Sequence, residues 1–362
     1  MTTFFLNRLA AEPHALAFAG QSTPWPVALA DQTTDPSLDE ALRGHVAAAG
    51  RLLTPVAADL LATTGRPVDL FGFAPNPARL GAAADATASV EGVALTQLGA
   101  LLDLEHLGYS VAQAKPLAVL GHSQGVLAVH MARAIEAAGS IEAAGKTLDE
   151  ILAVAALIGA AGTRRVRELG LNPKYGEASP MLSVKGATRE QVEALVARVN
   201  NARGPISIAV TNSDNHHVLS GYPEDLSAFA LEAEREHQHQ AKLREQKLHG
   251  GTVFNPTLEY LEVTLPFHSP LMADAVEQTV AWAGACGFDQ DRTRALAAEV
   301  LLNHVDWNAR VKALFNAADP SKLWIVDLGP GNTLGKLIGN VVQGTGIGVV
   351  EATTLAERST LS

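Results

Sequence analysis

Gly121-His122-Ser123-Gln124-Gly125 sets one serine between two glycines in a G-x-S-x-G pattern. A serine hydroxyl attacks usefully only when a base takes its proton and donors await the oxyanion that forms. The surroundings supply the context this chemistry needs. Residues 117–120 are a short apolar run suited to a buried parallel strand, and residues 126–135 read as an Ala-rich helix apolar on most sides. Strand, tight turn and helix together define a nucleophile elbow. Its glycines let the two backbones approach more closely than a Cβ permits. Ser123 is predicted to be strained at the tip, with its hydroxyl above the sheet. The N–H of Gln124, at the unpaired start of the helix, is placed to face an oxyanion.

The sequence has 12 histidines from which to choose a base. His268 is preferred, because Leu265-Pro266-Phe267-His268-Ser269-Pro270 follows a strand and its prolines stiffen the loop. His122 adjoins the nucleophile but points away, as a structural or pocket-wall residue, and His130 packs on the helix. The group orienting His268 stays open between Asp306, Asp327 and a backbone carbonyl near Asn303; a Ser–His dyad with a neutral acceptor is competent. Residues 15–19 form a buried strand feeding Gly20-Gln21, which puts a second backbone N–H, that of Gln21, beside Ser123.

The elements that must position these groups follow from pattern. Residues 6–11 suggest a lead-in helix, residues 39–61 a helix broken near Pro55, and residues 66–80 a loop. Gln97 lies on an apolar helix over 90–107. Residues 147–161 look like a helix capped by Thr147 with Glu150. From 179 to 263 the order βαββαβ predicts a small ferredoxin-like subdomain, inserted into a large α/β-hydrolase-like subdomain with a parallel sheet formed by residues 1–178 and 264–362. His237 and His239, two apart on its long polar helix, do not share a face and suit a solvated surface better than a metal.

Composition narrows the class. The 362 residues are 47% hydrophobic with net charge -11, which suits a soluble acidic enzyme and disfavours nonspecific nucleic-acid binding. A single cysteine excludes an internal disulfide. No apolar run reaches about 20 residues, so no membrane span is expected. With no secretory signal pattern, the expected location is cytoplasmic.

Taken in order, Gly20-Gln21, Gln97, the Ser123 pentapeptide, Asn212, Phe267-His268-Ser269-Pro270 and Leu328-Gly329-Pro330-Gly331 resemble the motifs of acyl-carrier-protein acyltransferases, the malonyl-CoA:ACP transacylase-like family. The Ser123-Gln124 pair is most similar to the acetyltransferase domain of type I fatty acid synthases of the fungal and actinobacterial kind. The resemblance covers nearly the whole chain. It implies that Ser123 attacks acetyl-CoA, that His268 is general base and then acid, and that the N–H groups of Gln21 and Gln124 form the oxyanion hole. It further implies that the carbonyl of Asn303 orients His268, that Asn212 braces the cleft, and that Gln97, His122, Ile158 and Asn212 line the substrate pocket.

Ile158 stands where malonyl transferases carry an arginine. A buried malonyl carboxylate left unpaired would cost about 3–5 kcal/mol, whereas isoleucine suits a methyl group. Arg164 or Arg165 is the alternative source of a cation. The implied reaction passes acetyl in ping-pong order to the phosphopantetheine thiol of an acyl carrier protein, priming fatty acid synthesis, with no permanently bound cofactor and no metal. The implied partners are that carrier and other domains of a type I synthase, with no nucleic acid or membrane, and the chain is expected to be one domain of a longer synthase. The alternatives are a malonyl- or longer-acyl-specific transferase of the same fold, or a free serine esterase with a carboxylate third residue.

Overall fold

A computed structural model describes residues 11–21, 23–65, 86–171, 178–200, 205–246 and 253–361. The expected lead-in helix, apart from Ala11, and the loop over 66–80 lie outside the described residues. Strands are β1 (His14–Phe18), β2 (Ala118–Gly121), β3 (Met181–Lys185), β4 (Ser207–Ser213), β5 (His216–Ser220), β6 (Thr257–Tyr260), β7 (Val305–Asp306), β8 (Trp324–Asp327) and β9 (Gly348–Glu351). The principal helices are α1 (Trp25–Gln32), α2 (Pro36–Leu52), α3 (Ala57–Thr64), α4 (Ala86–His106), α5 (Val126–Ala138), α6 (Ile141–Glu168), α7 (Arg189–Val199) and α8 (Pro223–Glu245). After them come α9 (Ala273–Ala285), α10 (Gln290–Leu301), α11 (Trp307–Ala313), α12 (Thr333–Val342) and α13 (Leu355–Leu361).

The first sheet has the order β2-β1-β8-β9 and is parallel throughout. Its strands are short and apolar because helices cover both faces; all five residues of β1 are buried. α5 packs on β2 and β1, and behind it α4 and the middle of α6 pack on each other, buried through most of their length, so neither could stand in water alone. The helix expected to begin at Thr147 instead begins after Ser140, whose side chain accepts from the Ala143 N–H, and runs unbroken for 28 residues. Thr147 and Glu150 are interior positions of it. Ala-rich sequence with no Pro lets propagation continue where a capping pattern only offered a start. Pro55 does divide its region, with a bend of 54° between Pro36–Leu52 and Thr54–Thr64.

The second sheet has the order β6-β3-β5-β4-β7. Its first four strands, numbered within 179–263, lie in the order 4-1-3-2 with antiparallel neighbours, the split βαβ arrangement. The fifth, β7, comes from outside that segment and pairs parallel with β4 through Val210↔Val305 and Thr211↔Asp306. The inserted unit is thus stitched back to the C-terminal part of the chain, which a two-residue strand gave no pattern to reveal.

Alternation sorts the two faces of this sheet. Leu182, Val184 and Leu219 turn toward α7 and α8 and join Phe229 in a separate small core. Met181, Val210 and Val218 turn the other way, into the core of the large body. α7 starts with a capping box, Thr188 and Gln191 bonding reciprocally. Phe229 is wholly enclosed, so Phe229→Ala is expected to cost about 3–5 kcal/mol. Chemical denaturation checks the loss, and hydrogen exchange should show β3–β6 amides opening sooner while β1 and β8 keep their protection.

Candidate active site

β2 ends at Gly121 and the chain turns through Ser123–Gly125, a single 3-10 turn, into α5. A Cβ at Gly125 would strike the Phe18 carbonyl of β1, and one at Gly121 the backbone of Gly125. Gly20 closes in from the other side, where a Cβ would fall 2.6 Å from the His122 carbonyl oxygen and 2.8 Å from Ser123 Cβ. Three backbones therefore meet where no side chain fits. Ser123 has φ 54°, in the left-handed region that costs about 1–2 kcal/mol for an L-residue. His268, at φ 56°, carries the same strain, which nothing in its sequence neighbourhood anticipated.

The two strained residues meet. Ser123 Oγ lies 2.7 Å from His268 Nε2, and His268 Nδ1 lies 2.8 Å from the Asn303 carbonyl oxygen. A carbonyl only accepts, so Nδ1 holds the ring proton and the Nε2 lone pair faces the hydroxyl. Burial pushes His268 down to about 3; the Asn303 carbonyl opposes this only in part, and the charges of His122, His304 and Arg310 add to the lowering. The ring is consequently neutral near pH 7, the state in which it can take a proton. Asp306 is spent as the N-cap of α11, accepting from Ala309 N–H at 2.8 Å. Asp327 accepts from the N–H groups of Gly329 and Gly335. Of the three orienting groups open in the sequence, the Asn303 carbonyl is the one at the ring.

His122 points away from the hydroxyl, as expected, and donates Nε2–H to Asn212 Oδ1 at 2.8 Å. Its ring meets Trp307 edge-on, with centroids 5.3 Å apart. Asn212 sits on β4, so this bond ties the elbow to the small sheet. Arg310 donates from Nη1 to the Gly121 carbonyl at 2.9 Å, holding the end of β2. Between the subdomains runs a cleft of about 440 Å³ lined by Gln21, His122, Ser123 and Asn212, among others.

The N–H groups of Gln21 and Gln124 belong to the two loops that converge on Ser123, and their side chains interlock: Gln21 Nε2 donates to Gln124 Oε1, and Gln124 Nε2 to the Val90 carbonyl. Two expected pocket residues are elsewhere. Ile158 is wholly enclosed in the core along α6, and Gln97 is wholly buried with Nε2 donated to the Ala19 carbonyl at 2.6 Å. Neither lines the cleft. Helix-to-helix packing between α4 and α6 absorbs both, which single-chain spacing could not show. Arg164 and Arg165 also stay outside the cleft, bonding Glu168, Gln278, Asp274 and the Leu271 carbonyl. His237 donates Nδ1–H to the Phe254 carbonyl.

The sequence reading missed one wall. Met181, Ser183 and Lys185 of β3 project into the cleft at alternate positions, with His216 and Val218 of β5 beside them. Ser183 Oγ bonds His216 Nε2 at 3.0 Å, and Lys185 pairs with Glu259 at 3.0 Å. The period-two pattern of β3 was the available signal. Thr333 and Leu337 reach the cleft from α12.

The pH dependence of stability carries a signature of this geometry. The folded value for His268 lies far below the unfolded one near 6.5, so between the two the unfolded chain binds a proton that the folded ring refuses. Stability then falls as pH falls, by about 1.4 kcal/mol per pH unit. His268→Gln should remove that share, flattening the stability profile between about pH 6 and about pH 4 relative to wild type in denaturant titrations; parallel profiles would contradict a buried neutral ring.

The fold, a parallel α/β layer with an inserted ferredoxin-like unit, is shared with solved transacylase structures. The malonyl-transacylase in the structure titled as a complex with its type II polyketide acyl carrier protein superposes with a TM-score of 0.67 at 16% identity, covering 96% of this chain and 98% of that one. A malonyl-transacylase from Mycobacterium tuberculosis gives 0.62 at 18% identity over 96% and 99%. In sequence, residues 180–260 match the family described as the fatty acid synthase central AT domain. A fatty acid synthase β subunit of Cochliobolus carbonum is 27% identical over 270 residues, 64% of this chain and 12% of that one. The β subunit of Saccharomyces cerevisiae is 28% identical over 217 residues, 52% of this chain and 10% of that one. The chain is thus transacylase-like in fold and related in sequence to fungal fatty acid synthase β subunits, of which it spans only a small part.

Proposed function

We propose that this chain is a serine acyltransferase that moves an acetyl group from acetyl-CoA, through an ester on Ser123, to the phosphopantetheine thiol of an acyl carrier protein. The observation that carries the reading is the Ser123 Oγ to His268 Nε2 contact of 2.7 Å, with the far side of the ring held by the Asn303 carbonyl. His268 takes the hydroxyl proton as Oγ bonds the thioester carbon, and the N–H groups of Gln21 and Gln124 hold the negative oxygen. Collapse breaks the C–S bond, and the imidazolium returns its proton to the departing CoA thiolate. The carrier thiol then gives its proton to His268 as its sulfur bonds the ester carbon; collapse breaks the C–O bond, and the imidazolium returns the proton to Ser123 Oγ. No permanently bound cofactor enters either half.

The choice of acetyl rests on charge. Among the described residues lining the cleft none is an arginine, and its one lysine, Lys185, is already paired with Glu259. A malonyl carboxylate would find no free bidentate partner there, and leaving it unpaired costs about 3–5 kcal/mol. The relatives named above support a carrier partner and a place among the other catalytic units of a fatty acid synthase, where the reaction would prime chain growth.

Intact-mass measurement after mixing with acetyl-CoA or malonyl-CoA tests this. Acetylation of wild type at least about tenfold faster than malonylation is expected from the charge argument, with none in Ser123→Ala. Faster malonylation would replace the acetyl reading by a malonyl transferase of the same fold. Retained acylation in Ser123→Ala would overturn the serine mechanism.

A further inference from the structure

We propose that Asp327, which touches no reacting atom, is a positioning residue for this site: it holds the loop that leads to Gln21 and the helix that walls the cleft in one fixed relation. The inference rests on the acyltransferase reading above. Asp327 is the last residue of β8 and has no exposed surface. Its Oδ1 accepts from Gly329 N–H at 2.9 Å and its Oδ2 from Gly335 N–H at 2.7 Å. Each bond leads to a different part of the site.

The Gly329 carbonyl accepts from Ala19 N–H at 2.9 Å, and the Ala19 carbonyl accepts from Gln97. Ala19 is thereby gripped on both sides immediately before Gly20, the residue packed against Ser123 and the backbone nitrogen of Gln124. The Gln21 N–H follows. Gly335, through the second oxygen, belongs to the first turn of α12, whose Thr333 and Leu337 face the cleft. One carboxylate therefore indexes an oxyanion loop to the opposite wall. Oxyanion donors must be set within a few tenths of an ångström to be effective, so a residue that fixes their loop acts on the transition state more than on binding.

The ionised carboxylate offers two strong acceptors to the two N–H groups; protonation puts a hydrogen on one oxygen and weakens it as an acceptor. Burial raises Asp327 to about 7, against the lowering by its two N–H partners, with Glu351 of β9 and Glu357 of α13 adding like charge. The other elements packed on it face it with uncharged Ala17 of β1 and Gly335 of α12. His268 is neutral throughout this range, so protonation of its ring does not produce an acid limb near neutrality.

The test follows acetylation of the full chain by acetyl-CoA from about pH 5.5 to about pH 8.5 in wild type, Asp327→Asn and Glu351→Gln. Wild type should lose rate below a midpoint near 7. Asp327→Asn should be about tenfold slower at saturation near pH 8.5, with half-saturation within about twofold of wild type and no acid limb. Glu351 is exposed, and Glu351→Gln should move the limb to lower pH by removing a repelling charge. A flat wild-type profile, a limb unmoved by Glu351→Gln, or wild-type rates in Asp327→Asn would each overturn the assignment. If Asp327→Asn does not fold, the response to Glu351→Gln decides alone. A wild type that forms no acyl-enzyme at any pH overturns the acyltransferase reading itself, and this assignment with it.

Discussion

The hydrogen bond between Ser123 and His268 joins residues 145 apart in the chain, and the fold is arranged to let it form. Each partner sits at positive φ, so each is held where an L-residue does not rest by choice. For the serine the restraint is backbone against backbone: β1, the elbow and the Gly20 loop approach so closely that three positions admit no Cβ. For the histidine it is the Asn303 carbonyl on one nitrogen and complete enclosure by its neighbours. Strain of this kind survives only where packing over-determines the conformation, and the surrounding layer is among the most buried parts of the chain.

Enclosure also sets the electrostatics. Burial pushes His268, bonded to the cleft's Ser123, down to about 3, and the cleft-lining His216 down to about 4. Both are neutral hydrogen-bonding groups rather than cations near pH 7. The cleft's charge is then left to Lys185, Glu259 and Glu262, and the two carboxylates outnumber the lysine. On the acetyl reading proposed above, such a wall would disfavour an acyl group ending in a carboxylate. The small subdomain supplies this wall, and the large one carries Ser123 and His268.

Much was legible in the residues. The elbow, the βαββαβ order and the choice of His268 as partner of Ser123 rest on local patterns: apolar runs, glycines at fixed offsets, a loop between prolines. The errors came where two elements compete for one residue. Thr147 begins a capping pattern but lies inside a longer helix, because nothing before it stops propagation from Ser140. Ile158 and Gln97 were assigned to the pocket, yet α4 and α6 pack so closely that both are sealed in core. Ser183, Lys185 and His216 were overlooked because which face of a strand meets the cleft depends on the element packed on the other.

What the sequence by itself determined is the kind of chemistry: a serine in a turn only glycines allow, and a histidine stiffened by prolines, are set by backbone sterics that act over a few residues. Tertiary structure decided everything that depends on long-range approach. It chose the Asn303 carbonyl over Asp306 and Asp327 as the partner of the ring, drew β7 into the second sheet, and turned Asp327 inward to bind the Gly329 loop and the first turn of α12. Those outcomes follow from which surfaces are desolvated together, and burial is a property of the packed chain rather than of any stretch within it.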